Sequence, residues 1–302
     1  MAPIPAPRES GFTQTTTVPL YWARYGPVGA PLLVILHGGP GAHHDYLLPQ
    51  MLELAADYEL VFYDQRGGGR SKTDERTPIT WQTHVADLDQ LAGELKIEPL
   101  SLVGYSWGGL LAILYSLESV AHRTNHAPSR LVLIDPAPVN REYRRQFETE
   151  FLRRQASPAV TTMKAELADS GLRERDPEAY RQRTFELSVA GYFADPSASH
   201  DLTPFRVTGR VQTSVWESLG DFDFVADGSL ESLSLPTLIV HGRQDPIPLA
   251  SSQAAAKAMK AALVIVEGSG HVPYVEQSGP LFSAIREFLQ RTQSAMTRHA
   301  SV

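Results

Sequence analysis

Residues 100–117, LSLVGYSWGGLLAILYSL, limit what this chain can fold into more than any other stretch. Leu100, Leu102 and Val103 form a short apolar run of strand length, and residues 110–117 form an apolar run of helical character. Between them stands Gly104-Tyr105-Ser106-Trp107-Gly108. A strand that turns directly into a helix leaves no room for bulky side chains beside the bend, so glycine flanks the serine. A serine held there projects its hydroxyl beyond the end of the sheet. The next backbone N–H lies at a helix N-terminus, where partial positive charge collects. The pattern marks Ser106 as a candidate nucleophile.

The chain around this turn repeats the strand–helix alternation. Residues 12–25 alternate Thr, Val, Tyr and Trp around Pro19 and read as one or two strands at a sheet edge. Leu32-Leu33-Val34-Ile35-Leu36 and Glu59-Leu60-Val61-Phe62-Tyr63 are apolar runs of the kind buried on both faces of a parallel sheet. Residues 46–56 lie between them and read as helical. Residues 80–95 carry Val85, Leu88, Leu91, Ala92 and Leu95 at helical spacing, with Thr80 or Asp74 near the start. Further strands follow at 131–134, 236–240 and 263–266, with an alanine-rich helix at 249–262 and a last helix at 278–291.

Residues 137–230 break the alternation. They contain no buried-strand run and are helical and charged, with Tyr143, Phe147 and Phe151 flanked by Arg144, Arg145, Arg153 and Arg154. The arginines read as a solvated helix face with their stems packed along it. The whole describes an α/β chain with a mostly parallel sheet, helices on both faces and an inserted helical cap. The expected division is a loose tail at 1–11, a core at 12–136 and 231–292, the cap at 137–230 and a loose tail at 293–302.

Several function classes are disfavoured by composition. Lys plus Arg is 27 against 34 Asp plus Glu, a net charge of −7, which offers no broad attraction to nucleic acid or an anionic membrane. The absence of cysteine excludes disulfides, thiolate metal sites and a cysteine nucleophile. No apolar run approaches the ~20 residues of a membrane helix. The opening MAPIPAPRES has neither the basic start nor the apolar core of a signal peptide, so a cytoplasmic location is the expectation.

A serine hydroxyl needs a base to take its proton, and the base needs an acid to orient it. His271 stands in the Gly-flanked loop after the last expected strand, at the same sheet edge as Ser106. Asp245 and Asp135 both end strands, and either could be the acid. Asp245 is preferred, because Asp135-Pro136 also reads as a capped turn into the insertion. The order Ser…Asp…His is that of the α/β-hydrolase fold. Two backbone N–H groups must face the developing oxyanion. Trp107 supplies one, and the glycine-rich loop at 37–41 supplies the other, with Gly39 the residue to name. His37 reads as packing within that loop, and His43-His44-Asp45 as a polar loop without a second ligand cluster for a metal.

HGGPG at 37–41, DQRGGGRS at 64–71, GYSWGG at 104–109, HGRQD at 241–245 and GSGH at 268–271 resemble the proline iminopeptidase (prolyl aminopeptidase) family. The resemblance spans about residues 20–290. It implies Ser106, Asp245 and His271 as the triad, Gly39 and Trp107 as oxyanion donors, a helical cap over 137–230, and no cofactor. It also implies an acidic side chain from the cap for the substrate's free amino terminus, here Glu217 beside Trp216. Some members carry a glutamate directly after the catalytic aspartate, where this chain has Pro246. The implied activity is release of an N-terminal proline or small apolar residue from short peptides. The alternative is an esterase, lactonase or amide hydrolase acting on a small molecule, since these share the motifs. A receptor with little turnover is a third class, against which the complete triad argues.

Overall fold

The computed structural model describes residues 4–300, with side chains described through residue 294. Eight strands form one sheet: β1 (Glu9–Phe12), β2 (Tyr21–Tyr25), β3 (Leu32–Leu36), β4 (Glu59–Tyr63), β5 (Leu100–Tyr105), β6 (Pro128–Ile134), β7 (Thr237–Gly242) and β8 (Ala262–Val266). Their order across the sheet is β1-β2-β4-β3-β5-β6-β7-β8. The pairs β1–β2 and β2–β4 are antiparallel, and every other pair is parallel. Six neighbouring strands therefore point the same way, and the loops that leave them gather along one edge. That edge of an open α/β sheet is where ligands bind.

Side-chain alternation splits the core into two layers. Val34, Leu36, Leu102, Leu131 and Leu133 face one side; Leu33, Ile35, Val103, Val132 and Ile134 face the other. The first layer is covered by α2 (Trp81–Glu94), α3 (Trp107–Val120) and α9 (Leu249–Met259). Thr80 caps α2 with a reciprocal capping box to Thr83, which settles the choice between Thr80 and Asp74. The second layer is covered by the turns around α1 (Leu48–Met51) and by α11 (Ser278–Ala300), which buries Leu281, Phe282, Ile285, Phe288 and Leu289 along one stripe.

Between β6 and β7 lie α4 (Arg141–Gln155), α5 (Pro158–Asp169), α6 (Leu172–Arg175), α7 (Pro177–Val189) and α8 (Gly209–Ser218), with no named strand among them. The short α10 (Pro273–Glu276) follows the His271 loop.

Both expected tails are partly structured. Glu9, Ser10 and Gly11 pair with β2, because the backbone of β2 would otherwise be an open edge. The last helix continues beyond Arg291 to Ala300, since no Gly or Pro stops it. The outermost residues of the two tails, 1–3 and 301–302, lie outside the described residues.

Candidate active site

Ser106 begins where β5 ends, and its backbone carries φ 53° and ψ −117°, a conformation that non-glycine residues rarely adopt. Close packing explains the two flanking glycines. A Cβ on Gly104 would lie 2.3 Å from the Gly108 carbonyl oxygen, and one on Gly108 would lie 2.1 Å from that of Leu36. The bend is held by Ser106 N–H donating to the Ile134 carbonyl (2.9 Å) and by Ala137 N–H donating to the Ser106 carbonyl (2.9 Å).

The Ser106 hydroxyl lies 3.0 Å from His271 Nε2, and His271 Nδ1 lies 2.9 Å from Asp245 Oδ2. The other Asp245 oxygen accepts from Ile247 N–H at 2.7 Å. Burial pulls the His271 pKa down to about 4, so its imidazole is neutral and able to accept a proton.

Asp135 is brought to the same place in a different role. It is fully buried against Asp245, and its Oδ1 accepts from Gly242 N–H at 2.8 Å. Burial, reinforced by the neighbouring Asp245 charge, pushes the Asp135 pKa far up. Burial lifts Asp245 too, to about 7, while hydrogen bonds from Asp135 and from Ile247 N–H work the other way. Two adjacent buried carboxyl groups cannot both ionise. Asp135 therefore keeps the proton, and Asp245 presents the charge to His271. With His241, these two aspartates form a buried trio whose ligand atoms lie within 4.8 Å of one another. Asp245 already spends both oxygens on His271 and Ile247.

The glycine-rich loop after β3 is positioned by neighbours that explain why its motif accompanies the others. Gly38 N–H donates to the Tyr46 hydroxyl (2.8 Å), and Gly39 takes φ 64°. Gln65 bridges two motifs: its amide donates to the His37 carbonyl (2.9 Å) and accepts from the Trp107 indole (2.8 Å). His37 is buried, and its Nε2 accepts from Gln65 N–H at 3.1 Å, which ties the loop to the DQRGGGRS turn. His44 pairs with Asp64 at 2.6 Å, so the 43–45 loop is tied to the DQRGGGRS turn. The Trp107 N–H is the first of α3 and has no carbonyl of its own helix to meet.

Ser106, His271, Gly39 and Trp107 open into a cavity of about 390 Å³. Its far walls come from the segment between β6 and β7: Phe147 and Phe151 on α4, Phe185 and Val189 on α7, Phe205, and Trp216 on α8. Tyr192 packs against the His271 ring with centroids 5.1 Å apart, and its carbonyl accepts from His271 N–H at 2.7 Å.

The two residues expected to meet an amino terminus are separated. Trp216 lines the cavity, edge-on to Trp107 at 5.7 Å, whereas Glu217 is exposed and outside the lining. Neighbours on a helix point about 100° apart, so one position on the wall sends the next away from it. The arginine face of α4 is also corrected in part, because Arg144 lines the cavity instead of standing in solvent. Its spacing to Phe147 and Phe151, i, i+3 and i+7, was the available signal. Tyr192 and Gln65 were missed, and for Tyr192 no local pattern marks it.

The chain belongs to the alpha/beta hydrolase family, whose model matches residues 33–284, and it is a hydrolase of that family. Its relatives include the proline iminopeptidase of Clostridium botulinum, 28% identical over 273 residues that cover 86% of this chain and 89% of that protein. The Saccharolobus solfataricus proline iminopeptidase is 26% identical over 306 residues, covering 95% and 94%. Among solved structures, the proline iminopeptidase of Mycobacterium smegmatis superposes with a TM-score of 0.69 at 19% identity, covering 95% of this chain and all of that one, and shows the shared fold.

Proposed function

We propose that this chain is a serine hydrolase that works through an acyl-enzyme on Ser106 and acts on small-molecule esters or amides. The observation that carries the reading is the unbroken path from Ser106 through His271 to Asp245, 3.0 and 2.9 Å long, at the floor of an aromatic cavity. His271 Nε2 takes the Ser106 proton as Oγ attacks the acyl carbon. The Gly39 and Trp107 N–H groups receive the oxyanion, and His271 returns the proton to the leaving group. Water then gives its proton to His271, attacks the acyl-enzyme and releases the acid, restoring Ser106. Asp245 holds the imidazole in the required tautomer throughout. Residues 137–230 act as a cap that closes the cavity from above.

Release of an N-terminal proline or small apolar residue is the second reading, favoured by the proline iminopeptidase relatives that span most of the chain. It requires a partner for a free ammonium group. Among the described residues no Asp or Glu side chain lines the cavity, and Pro246 follows Asp245, which is why esters and amides of acyl groups without an ammonium come first.

Proline and alanine 4-nitroanilides assayed beside 4-nitrophenyl esters of short acids separate the two. The first reading expects ester turnover with little or none on the anilides. Fast anilide turnover beside slow ester turnover would establish the second. In either case Ser106→Ala should lower turnover by a factor on the order of 10⁴–10⁶ without unfolding the protein.

A further inference from the structure

Among the described residues that line the cavity, the one ionised side chain is a cation. Arg144 comes from the second turn of α4, on the same face as Phe147 and Phe151, and lines the space that holds Ser106 and His271. Its guanidinium lies over the Trp216 ring, 3.6 Å from the centroid, which fixes its position between α4 and α8. Its ion-pair partner is Glu148, reached through Nη2 at 2.8 Å. Glu148 is 49% exposed while Arg144 is 24% exposed, so the pair is open to water and weak. Among the described residues no hydrogen bond is made by Arg144 Nε or Nη1. A flat guanidinium with free donors, held against an aromatic face in a cavity walled mainly by aromatic and apolar side chains, suits a carboxylate.

A second observation points the same way. An outer cavity of about 660 Å³ shares Phe185 and Phe205 with the inner one. Lys72, Arg181 and Arg206 line it against a single carboxylate, Glu178. None of these three cations has a salt bridge among the described residues. The neighbouring cavity is thus positive in a chain whose net charge is −7, and a cleft of one sign concentrates ligands of the other.

We propose that Arg144 is a specificity residue that selects substrates whose acyl chain ends in a carboxylate. The preferred class is the monoesters and monoamides of dicarboxylic acids. The inference rests on the serine-hydrolase reading above. In the bound complex the far carboxylate replaces the water around Arg144, and the scissile carbonyl lies at Ser106. A substrate carrying an ammonium group at that end meets a like charge and is rejected.

The test compares mono-4-nitrophenyl esters of six- and eight-carbon diacids with 4-nitrophenyl hexanoate, octanoate and 6-aminohexanoate. In the wild type, kcat/KM for at least one diacid monoester should exceed its neutral counterpart by roughly tenfold or more, the range of one charge-assisted hydrogen bond. The amino ester should be the poorest of the set. Arg144→Gln should bring the diacid monoesters to within about twofold of the neutral esters, mainly through KM, and Arg144→Lys should retain part of the preference. Added salt should narrow the wild-type preference.

Equal rates on charged and neutral esters in the wild type would overturn the assignment while leaving the serine hydrolase intact. So would an Arg144→Gln loss that is the same on both, which would make Arg144 a structural clamp on Trp216. Absence of turnover on every ester and anilide would overturn the serine-hydrolase reading, and this proposal with it.

Discussion

At the scale of single residues, two aspartates at strand ends share one buried pocket, and their environments give them different protonation. Asp245 faces His271, and its replacement by asparagine should lower kcat by about 10⁴, because the imidazole would be held in the wrong tautomer. Asp135 already carries a proton, so Asp135→Asn keeps its shape and its acceptor for Gly242 N–H. Its kcat should fall by less than about tenfold. Steady-state kinetics on one ester checks both variants, and reversed magnitudes would assign the acid to Asp135. The sequence named both aspartates because each ends a strand. It could not rank them by contact, since the difference lies in which oxygen reaches His271 across the sheet edge. Glu217 shows the opposite limit: a motif places it beside Trp216, but only the helix phase shows that one lines the cavity and the other does not.

At the scale of elements, the turn between β5 and α3 is the most legible part of the chain. Its two glycines are demanded by backbone contacts, so their identity records the geometry directly. Gly104→Ala would drive a Cβ to 2.3 Å from the Gly108 carbonyl, and neither backbone can yield without parting strand from helix. The substitution should cost more than about 2 kcal/mol, read as a lower urea midpoint, with activity lost alongside. An unchanged midpoint would mean that the turn is looser than described. The parallel strands were equally legible, because burial on both faces leaves continuous apolar runs. The helices between β6 and β7 were legible only as helices. Their assembly depends on aromatic contacts far apart in sequence, such as Phe151 with Tyr192 at 4.5 Å, and no periodicity encodes these.

Across the whole molecule, the loops at the sheet edge are tied to one another by buried polar contacts. Asp64 is the clearest tie. It accepts from His44 Nδ1 (2.6 Å), His44 N–H (3.1 Å) and Arg70 N–H (2.8 Å). Burial opposes its ionisation, yet the bonds from His44 and Arg70 outweigh it and hold its pKa well below the usual carboxylate range. A carboxylate depressed in the folded state adds stability above its unfolded pKa of about 4, and this is lost as pH falls toward the folded value. Urea midpoints taken from about pH 6 down to 3 should therefore fall more steeply for the wild type than for Asp64→Asn, which starts lower. Parallel curves would remove Asp64 from the account. The five motifs thus converge on one edge because they hold one another there.

The chemistry proposed for this chain rests on Ser106 as the nucleophile. Intact-mass and peptide mass spectrometry after treatment with a fluorophosphonate tests it most directly. One phosphonyl adduct is expected, located on Ser106, forming in step with the loss of ester turnover and absent from Ser106→Ala. Turnover that persists in Ser106→Ala, or an adduct on another residue that tracks inactivation, would contradict it.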